Sequence, residues 1–390
     1  MARRGSPWLA AAALALLAGC SEMSSLGSSV GSTVSGWFTS SKPKPKPLEP
    51  ITSPIAGRQV WSQRVDSVRF PLTVSVRDGV FTVAGTDGTV VALQADTGRE
   101  VWRANVGAKL SAGVGSDGKV AAVVTRDNEL VVLAAGGQVK WRKPLGVRVA
   151  TAPLVAGERV FVLSVDRAVQ AFDENDGSKI WVLKRPGDPL MLAQTGVLSA
   201  YKDTLIVGQG PRMTGVDPLR GTVRWEVPVA TPRGANEIER LADLVGPAVR
   251  VGNLVCARSF QAAVGCVDAE RGALGWSKVV GGTEGIAADD QFVVAADATD
   301  RISAWKTSNG EVAWTSEKLI YRDLSTPLAV GPMVVFGDGQ GTLHWLARDT
   351  GATRLRLPTD GSAIAAGPVV SGTTLLAVTR NGGLYAFRPE

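Results

Sequence analysis

Short apolar runs alternate along this chain with turns that carry Gly and Asp, and the alternation repeats. In the fullest copy, Thr86-Asp87-Gly88 leads into Val90-Val91-Ala92-Leu93, Asp96-Thr97-Gly98 makes a second turn, and Trp102 lies on the run that follows. Asp-Gly is a tight-turn signal because both central positions of such a turn need positive φ. In the second turn the Asp side chain caps local amides and the Gly takes the left-handed position. Upstream of each such core stands a Pro-led strand, a Gly turn and a β-branched apolar strand. Ala152-Pro153-Leu154-Val155 before Val160-Phe161-Val162-Leu163 is one case, and Thr326-Pro327-Leu328 before Met333-Val334-Val335-Phe336 is another. Each unit therefore holds four strands.

The period is set by tryptophan. Trp61, Trp102, Trp141, Trp181, Trp225, Trp276 and Trp314 follow one another at steps of 41, 39, 40, 44, 51 and 38 residues, and Leu355 stands one step further on. Gly98, Gly137, Gly177, Gly221, Gly272, Gly310 and Gly351 each precede that slot by four residues. A period near forty made of short strands is the mark of a propeller blade. The third-strand position occurs eight times, at Val90, Leu130, Val169, Thr214, Val264, Ile302, Leu343 and Leu384. The fourth-strand position also occurs eight times, from Trp61 to Leu355. The Trp61 strand has nothing before it and the Leu384 strand nothing after it, so the two should pair and close the ring. The expected fold is all-β, an eight-bladed β-propeller of four-stranded antiparallel blades spanning residues 55–390. The tryptophans are expected to pack between blades and to carry no chemistry.

The first 54 residues read differently. Arg3 and Arg4 precede an apolar stretch from Trp8 to Ala18, the form of an export signal over residues 1–19. Leu17-Ala18-Gly19-Cys20 resembles a bacterial lipobox, which implies cleavage before Cys20 and lipidation of its thiol; the alternative is an ordinary secretory signal with an incidental Cys. Residues 20–54 are then a flexible tether rich in Ser, Lys and Pro, stiffest at Lys42-Pro43-Lys44-Pro45-Lys46-Pro47, where polyproline geometry should make a spacer. Ser21, directly after the lipidated position, implies outer-membrane sorting by the same resemblance. The formal charge of +6 resides partly in this leader and tether, so it gives little support to nucleic-acid binding, and none is expected. Cys256 and Cys266 flank a predicted turn at Phe260-Gln261-Ala262. In an oxidising compartment a disulfide and a pair of buried thiols both fit them.

Candidate chemistry is sparse. His344 is the single histidine, so metal sites built from His and Cys are excluded by count, and no nucleophile motif accompanies it. Asp289, Asp290, Asp297 and Asp300 lack calcium-loop spacing and read as solvated turns. Gly337-Asp338-Gly339-Gln340-Gly341 occupies a hairpin slot and opens no helix, which argues against a phosphate cradle. No catalytic residue, metal or cofactor is expected.

The A-x-D-x-x-T-G-x-x-x-W grammar resembles the repeats of pyrroloquinoline-quinone dehydrogenases. A periplasmic quinoprotein oxidoreductase is therefore the alternative reading, although those enzymes are longer and often carry an adjacent Cys pair that this chain lacks. Lipobox, tether and eight repeats together resemble the BamB family of outer-membrane protein assembly factors. Glu237-Ile238-Glu239-Arg240-Leu241-Ala242-Asp243 is similar to that family's E-I-x-R-L-x-D loop, and Gly337 to Trp345 to its G-D-x-x-G-x-L-H-W strand. The resemblance implies a non-catalytic scaffold, lipid-anchored in the outer membrane and facing the periplasm. Such a scaffold binds a POTRA domain of BamA within the Bam complex and helps deliver unfolded outer-membrane proteins. The two longest repeat intervals are consecutive, and their extra residues fall in connections on the same end of a propeller. They hold Leu190 and Leu192 in one loop and Glu237, Arg240 and Asp243 in the next, an expected partner-binding set of apolar anchors with a charged rim. The plainer alternative is that the leucines tuck under their loop and Arg240–Asp243 is a local ion pair.

Overall fold

The computed structural model describes residues 43–52, 54–185, 192, 194–232 and 241–389. Residues 1–44 and 45–390 are separate units. Of the first, only Pro43 and Lys44 are described, both in coil. Cys20, Leu190, Glu237 and Arg240 lie outside the described residues, as does the whole signal segment.

Eight four-stranded antiparallel sheets make up the second unit, and no helix occurs among its described residues. Seven blades are consecutive along the chain. Blade 1 is Ser75–Arg77, Val80–Ala84, Thr89–Gln94 and Glu100–Asn105, and blades 2 to 7 repeat that order through residue 358. Blade 8 joins both ends of the propeller chain: Val369–Ser371, Thr374–Val378 and Gly383–Pro389 are completed by Gly57–Arg64, paired from Gly57↔Pro389 to Arg64↔Gly383. The closure expected from Trp61 and Leu384 is thus the one observed. All eight third-strand positions, Val90 through Leu384, are at 0 % exposure, which fixes the register read from the sequence.

The spacing of Gly and Trp has a packing cause that crosses blades. The left-handed Gly of one blade lies under the indole of the blade before it. A Cβ added at Gly98 would stand 2.5 Å from Trp61, one at Gly272 2.6 Å from Trp225, and one at Gly351 2.6 Å from Trp314. The indole N–H then donates to a carbonyl in the same turn: Trp61 to Ala95, Trp141 to Glu174, Trp181 to Pro218, Trp276 to Thr307 and Trp314 to Arg348, at 2.8–3.0 Å. This satisfies the ring's polar atom while its faces bury apolar area. At the last interface Leu355 replaces the indole and Gly57 lies against it, with a Cβ position 2.6 Å from Leu355 Cδ2. Gly57 precedes Trp61 by four residues, so the ring closes on the same contact that spaces every other pair of blades.

Cys256 and Cys266 are direct cross-strand partners on the second and third strands of blade 5 and are disulfide-bonded in this structure. Within the same blade Arg258 is fully buried. Its guanidinium donates to the carbonyls of Gly281 at 2.8 Å and Ala296 at 2.6 Å, joining blade 5 to blade 6. Burial pulls its pKa down to about 10, against the opposing charges of Asp297 and Glu284.

Candidate partner-binding face

Because strands alternate in direction, the connection between blades and the turn between second and third strands emerge on one end of the ring. Two backbone bonds mark this shared end. Phe260 N–H donates to Asp243 O at 2.9 Å, and Gly339 N–H donates to Arg322 O at 2.8 Å. Both enlarged connections arise here, one after Lys179–Leu183 and one after Val223–Pro228.

Their bases are tied together. Gly196 and Val245 form an antiparallel bridge, and Gly246 N–H donates to Thr195 O at 2.8 Å. Gly246 has to be glycine at this approach, since a Cβ there would sit 2.3 Å from the Gly196 oxygen. Asp243 completes the tie. One carboxylate oxygen accepts the Leu192 amide at 3.2 Å and the other accepts Arg167 Nη2 at 3.1 Å. Arg167 comes from a turn of blade 3 at φ +64°, and Gln209 holds that turn by donating to the Arg167 carbonyl at 2.9 Å. Arg185, at the mouth of the first loop, pairs with Glu226, which also pairs with Arg212 at 3.3 Å.

Of the residues expected to contact a partner, the structure brings Leu192 and Asp243 together. Leu192 is half-buried. Asp243 is buried, with both oxygens used internally, so its side chain positions the two loops. The sequence reading gave no role to Leu274 or Val279, yet both line an open groove of about 450 Å³ with Pro228, Pro232 and Leu241, beside the second loop. Val279 is 83 % exposed, the most of any large apolar residue described. The signal was present as an apolar residue at every second or third place along Ala273–Val279, on a strand whose other face holds Trp276.

The ring encloses a channel of adjoining cavities, about 260 and 310 Å³, lined by Glu284, Thr283 and Arg380, with Arg69 at the first and Asp297 and Asp300 at the second. Glu284 is accessible from the channel, but protein surrounds it closely. Burial pushes its carboxyl above the usual range, against a Thr326 hydroxyl bond and the charge of Arg380. Among the described residues no group of three or more His, Cys, Asp or Glu side chains is placed to hold a metal ion. Asp300, read as a solvated turn, instead accepts the backbone amides of Arg322, Asp323 and Leu324 at 2.7–3.1 Å, and burial raises its pKa.

His344 is wholly buried, with Nε2 2.9 Å from Asp338 Oδ2, and the same oxygen accepts Arg322 Nη1 at 3.2 Å. Burial alone would raise the Asp338 carboxyl. The bond from His344 and the amides of Thr342 and Gln340 outweigh it and hold the pKa below the usual range.

Ring, connections and groove define a propeller of quinoprotein-type repeats whose loop end has a braced base beside an open, partly apolar groove. A family model described as outer membrane protein assembly factor BamB matches residues 86–316. BamB of Burkholderia pseudomallei is 36 % identical over 350 residues, covering 89 % of this chain and 92 % of that protein. The crystal structure of BamB from Moraxella catarrhalis superposes with a TM-score of 0.78 at 23 % identity, over 85 % of this chain and all of that one. Quinohemoprotein alcohol dehydrogenase from Comamonas testosteroni superposes at 0.65 and 16 % identity, over 85 % of this chain and 76 % of its own, a likeness of fold alone. The chain belongs to the BamB family of outer membrane protein assembly factors.

Proposed function

We propose that the chain is a non-catalytic scaffold of the outer-membrane β-barrel assembly machinery. It binds a periplasmic POTRA domain of BamA and aids delivery of unfolded outer-membrane proteins. Lipidated Cys20 anchors it to the outer membrane, and the tether lets the propeller work in the periplasm. The contact face is the pair of enlarged loops, with Leu190 and Leu192 as apolar anchors, Glu237 and Arg240 at the rim, and Asp243 setting the loops' relative position. The observation that supports this reading is the double use of the Asp243 carboxylate, which ties the described bases of the two connections to each other and to blade 3. Loops braced in this way lose less conformational freedom on binding.

The test is the affinity of the mature chain for the isolated POTRA region of its own BamA, beside Leu190→Ala/Leu192→Ala and Arg240→Glu variants with unchanged denaturation profiles. Loss of binding in the variants is the expected result. Full binding by both would move the interface off these loops, and no binding by the unaltered chain would overturn the scaffold reading.

A further inference from the structure

The stretch read as tether does not run free to the propeller. Lys46 N–H donates to Ile320 O at 3.2 Å, and Arg322 Nη2 donates back to Lys46 O at 2.8 Å. Arg356 Nη1 donates to Glu49 O at 2.6 Å, and the Glu49 carboxylate pairs with Lys318 at 3.1 Å. Further along, Ile55 N–H donates to Arg354 O at 2.9 Å, and the Ile55 side chain packs beside Leu355 and Trp345.

Each group on the propeller side is prepared for this contact. Asp300 takes the amides of Arg322, Asp323 and Leu324, with Tyr321 and Asp323 at φ +60° and +54°, and so fixes the turn that bears Arg322. The Arg322 side chain is nearly buried. Asp338, steadied by His344, takes Nη1, which leaves Nη2 aimed at the Lys46 carbonyl. A buried guanidinium N–H needs an acceptor, and here the tether supplies it. Burial and the charge of Arg322 lower the pKa of Arg356, while the charge of Glu49 opposes that shift. The tether thus carries an anion to a place where two cations crowd. Its prolines suit the role, because their fixed φ reduces the entropy lost on docking and they leave few amides needing partners.

We propose that this patch, between blades 6 and 7 on the loop end, is a docking site for the chain's own segment Pro45 to Pro50. In this arrangement the Gly337-to-Trp345 motif aims Arg322 at the backbone of that segment. The docked segment then lies on the end of the propeller that carries the enlarged connections. The docking itself does not depend on lipidation at Cys20; only its meaning for anchoring rests on the proposed function.

The experiment is amide hydrogen exchange of the mature chain, resolved to single residues, against a synthetic peptide of the tether sequence. The Lys46 amide should exchange at least about 10-fold more slowly in the protein than in the peptide. Arg322→Gln should abolish that protection, and so should Glu49→Lys, a surface change that leaves the strand Thr342–Ala347 protected. The swap Glu49→Lys/Lys318→Glu should restore it, which a general loosening of the fold would not do. Peptide-like exchange at Lys46 in the unaltered chain would overturn the proposal, and so would protection that none of the variants changes.

Discussion

The backbone amide of Leu192 donates to the carboxylate of Asp243 at 3.2 Å, joining loops whose residues lie 51 apart in sequence. Arg167 holds the other oxygen of that carboxylate, so a residue of blade 3 governs the relation between the two connections that follow. Asp243→Ala strands the Arg167 guanidinium, and Arg167→Met strands the carboxylate. Each should cost on the order of 2 kcal/mol in urea denaturation, since breaking a largely buried pair leaves an uncompensated charge. Both variants should also weaken POTRA binding by roughly tenfold, as the loops lose their common brace. Unchanged affinity in two destabilised variants would separate the brace from the binding face.

Val279 tests the groove. At 83 % exposure it contributes nothing to the core, so Val279→Lys should leave the denaturation midpoint where it is. If the partner surface extends from the second loop over Leu274 and Val279, affinity should fall by about tenfold, the size of a peripheral anchor loss. Titration by calorimetry distinguishes the outcomes, and an unaltered affinity confines the interface to the loops.

The Gly–indole contact makes a graded prediction. Gly351 and Gly252 both have left-handed backbone, at φ +68° and +57°, but a Cβ at Gly351 would meet Trp314 at 2.6 Å whereas one at Gly252 meets open space. Alanine at Gly252 should cost only the backbone strain, about 1 kcal/mol. At Gly351 it should cost about 2–4 kcal/mol, because overpacking against a fixed ring adds to that strain. Equal costs in chemical denaturation would show that the turn, not the inter-blade contact, selects the glycine.

Much of the fold was legible because each blade repeats one packing requirement at one spacing. Eight third-strand positions and the Trp slot gave the blade number and the closure before any contact was known. What stayed hidden was contact between distant repeats. Gly98 and Trp102 look like partners four residues apart, yet Gly98 serves Trp61. Asp243 read as a rim charge because its partner Arg167 lies 76 residues away, on a turn with no local signature. Lys46 and Glu49 read as solvated tether because Lys-Pro composition carries no mark of docking, and the buried Arg322 that receives them is unremarkable in sequence. Cross-strand pairing of Cys256 and Cys266 was readable from their turn, but their bonding was not.

The cysteines close a short loop, with a sequence separation of 10. Reduction, or Cys256→Ala/Cys266→Ala, should therefore cost about 2–3 kcal/mol if the bond restrains the unfolded chain as loop-closure entropy predicts. Thiol titration of the denatured, unreduced chain should find neither residue reactive. Two reactive thiols there, with no effect of reductant on stability, would return the pair to ordinary core residues.

Two carboxyls, Asp338 in the core and Glu284 on the channel wall, should give stability opposite dependences on pH. Asp338 has its folded pKa below the ordinary 3.8. The folded state therefore binds the proton less readily than the unfolded one, and the stabilisation is complete above that value and lost as pH falls through the folded pKa. Glu284 has its folded pKa above the ordinary 4.5. The folded state there holds the proton more tightly, so stability declines as pH rises from that value through the folded pKa. Glu284→Gln should accordingly stabilise the chain at about pH 7 and remove the decline just above 4.5, keeping the Thr326 contact. Asp338→Asn should destabilise at neutral pH and flatten the acid limb below 3.8. Urea denaturation of the three proteins from about pH 3 to about pH 8 reads both effects. A Glu284→Gln variant no more stable than the parent at neutral pH would mean that Arg380 and Thr326 already offset the burial of that carboxylate.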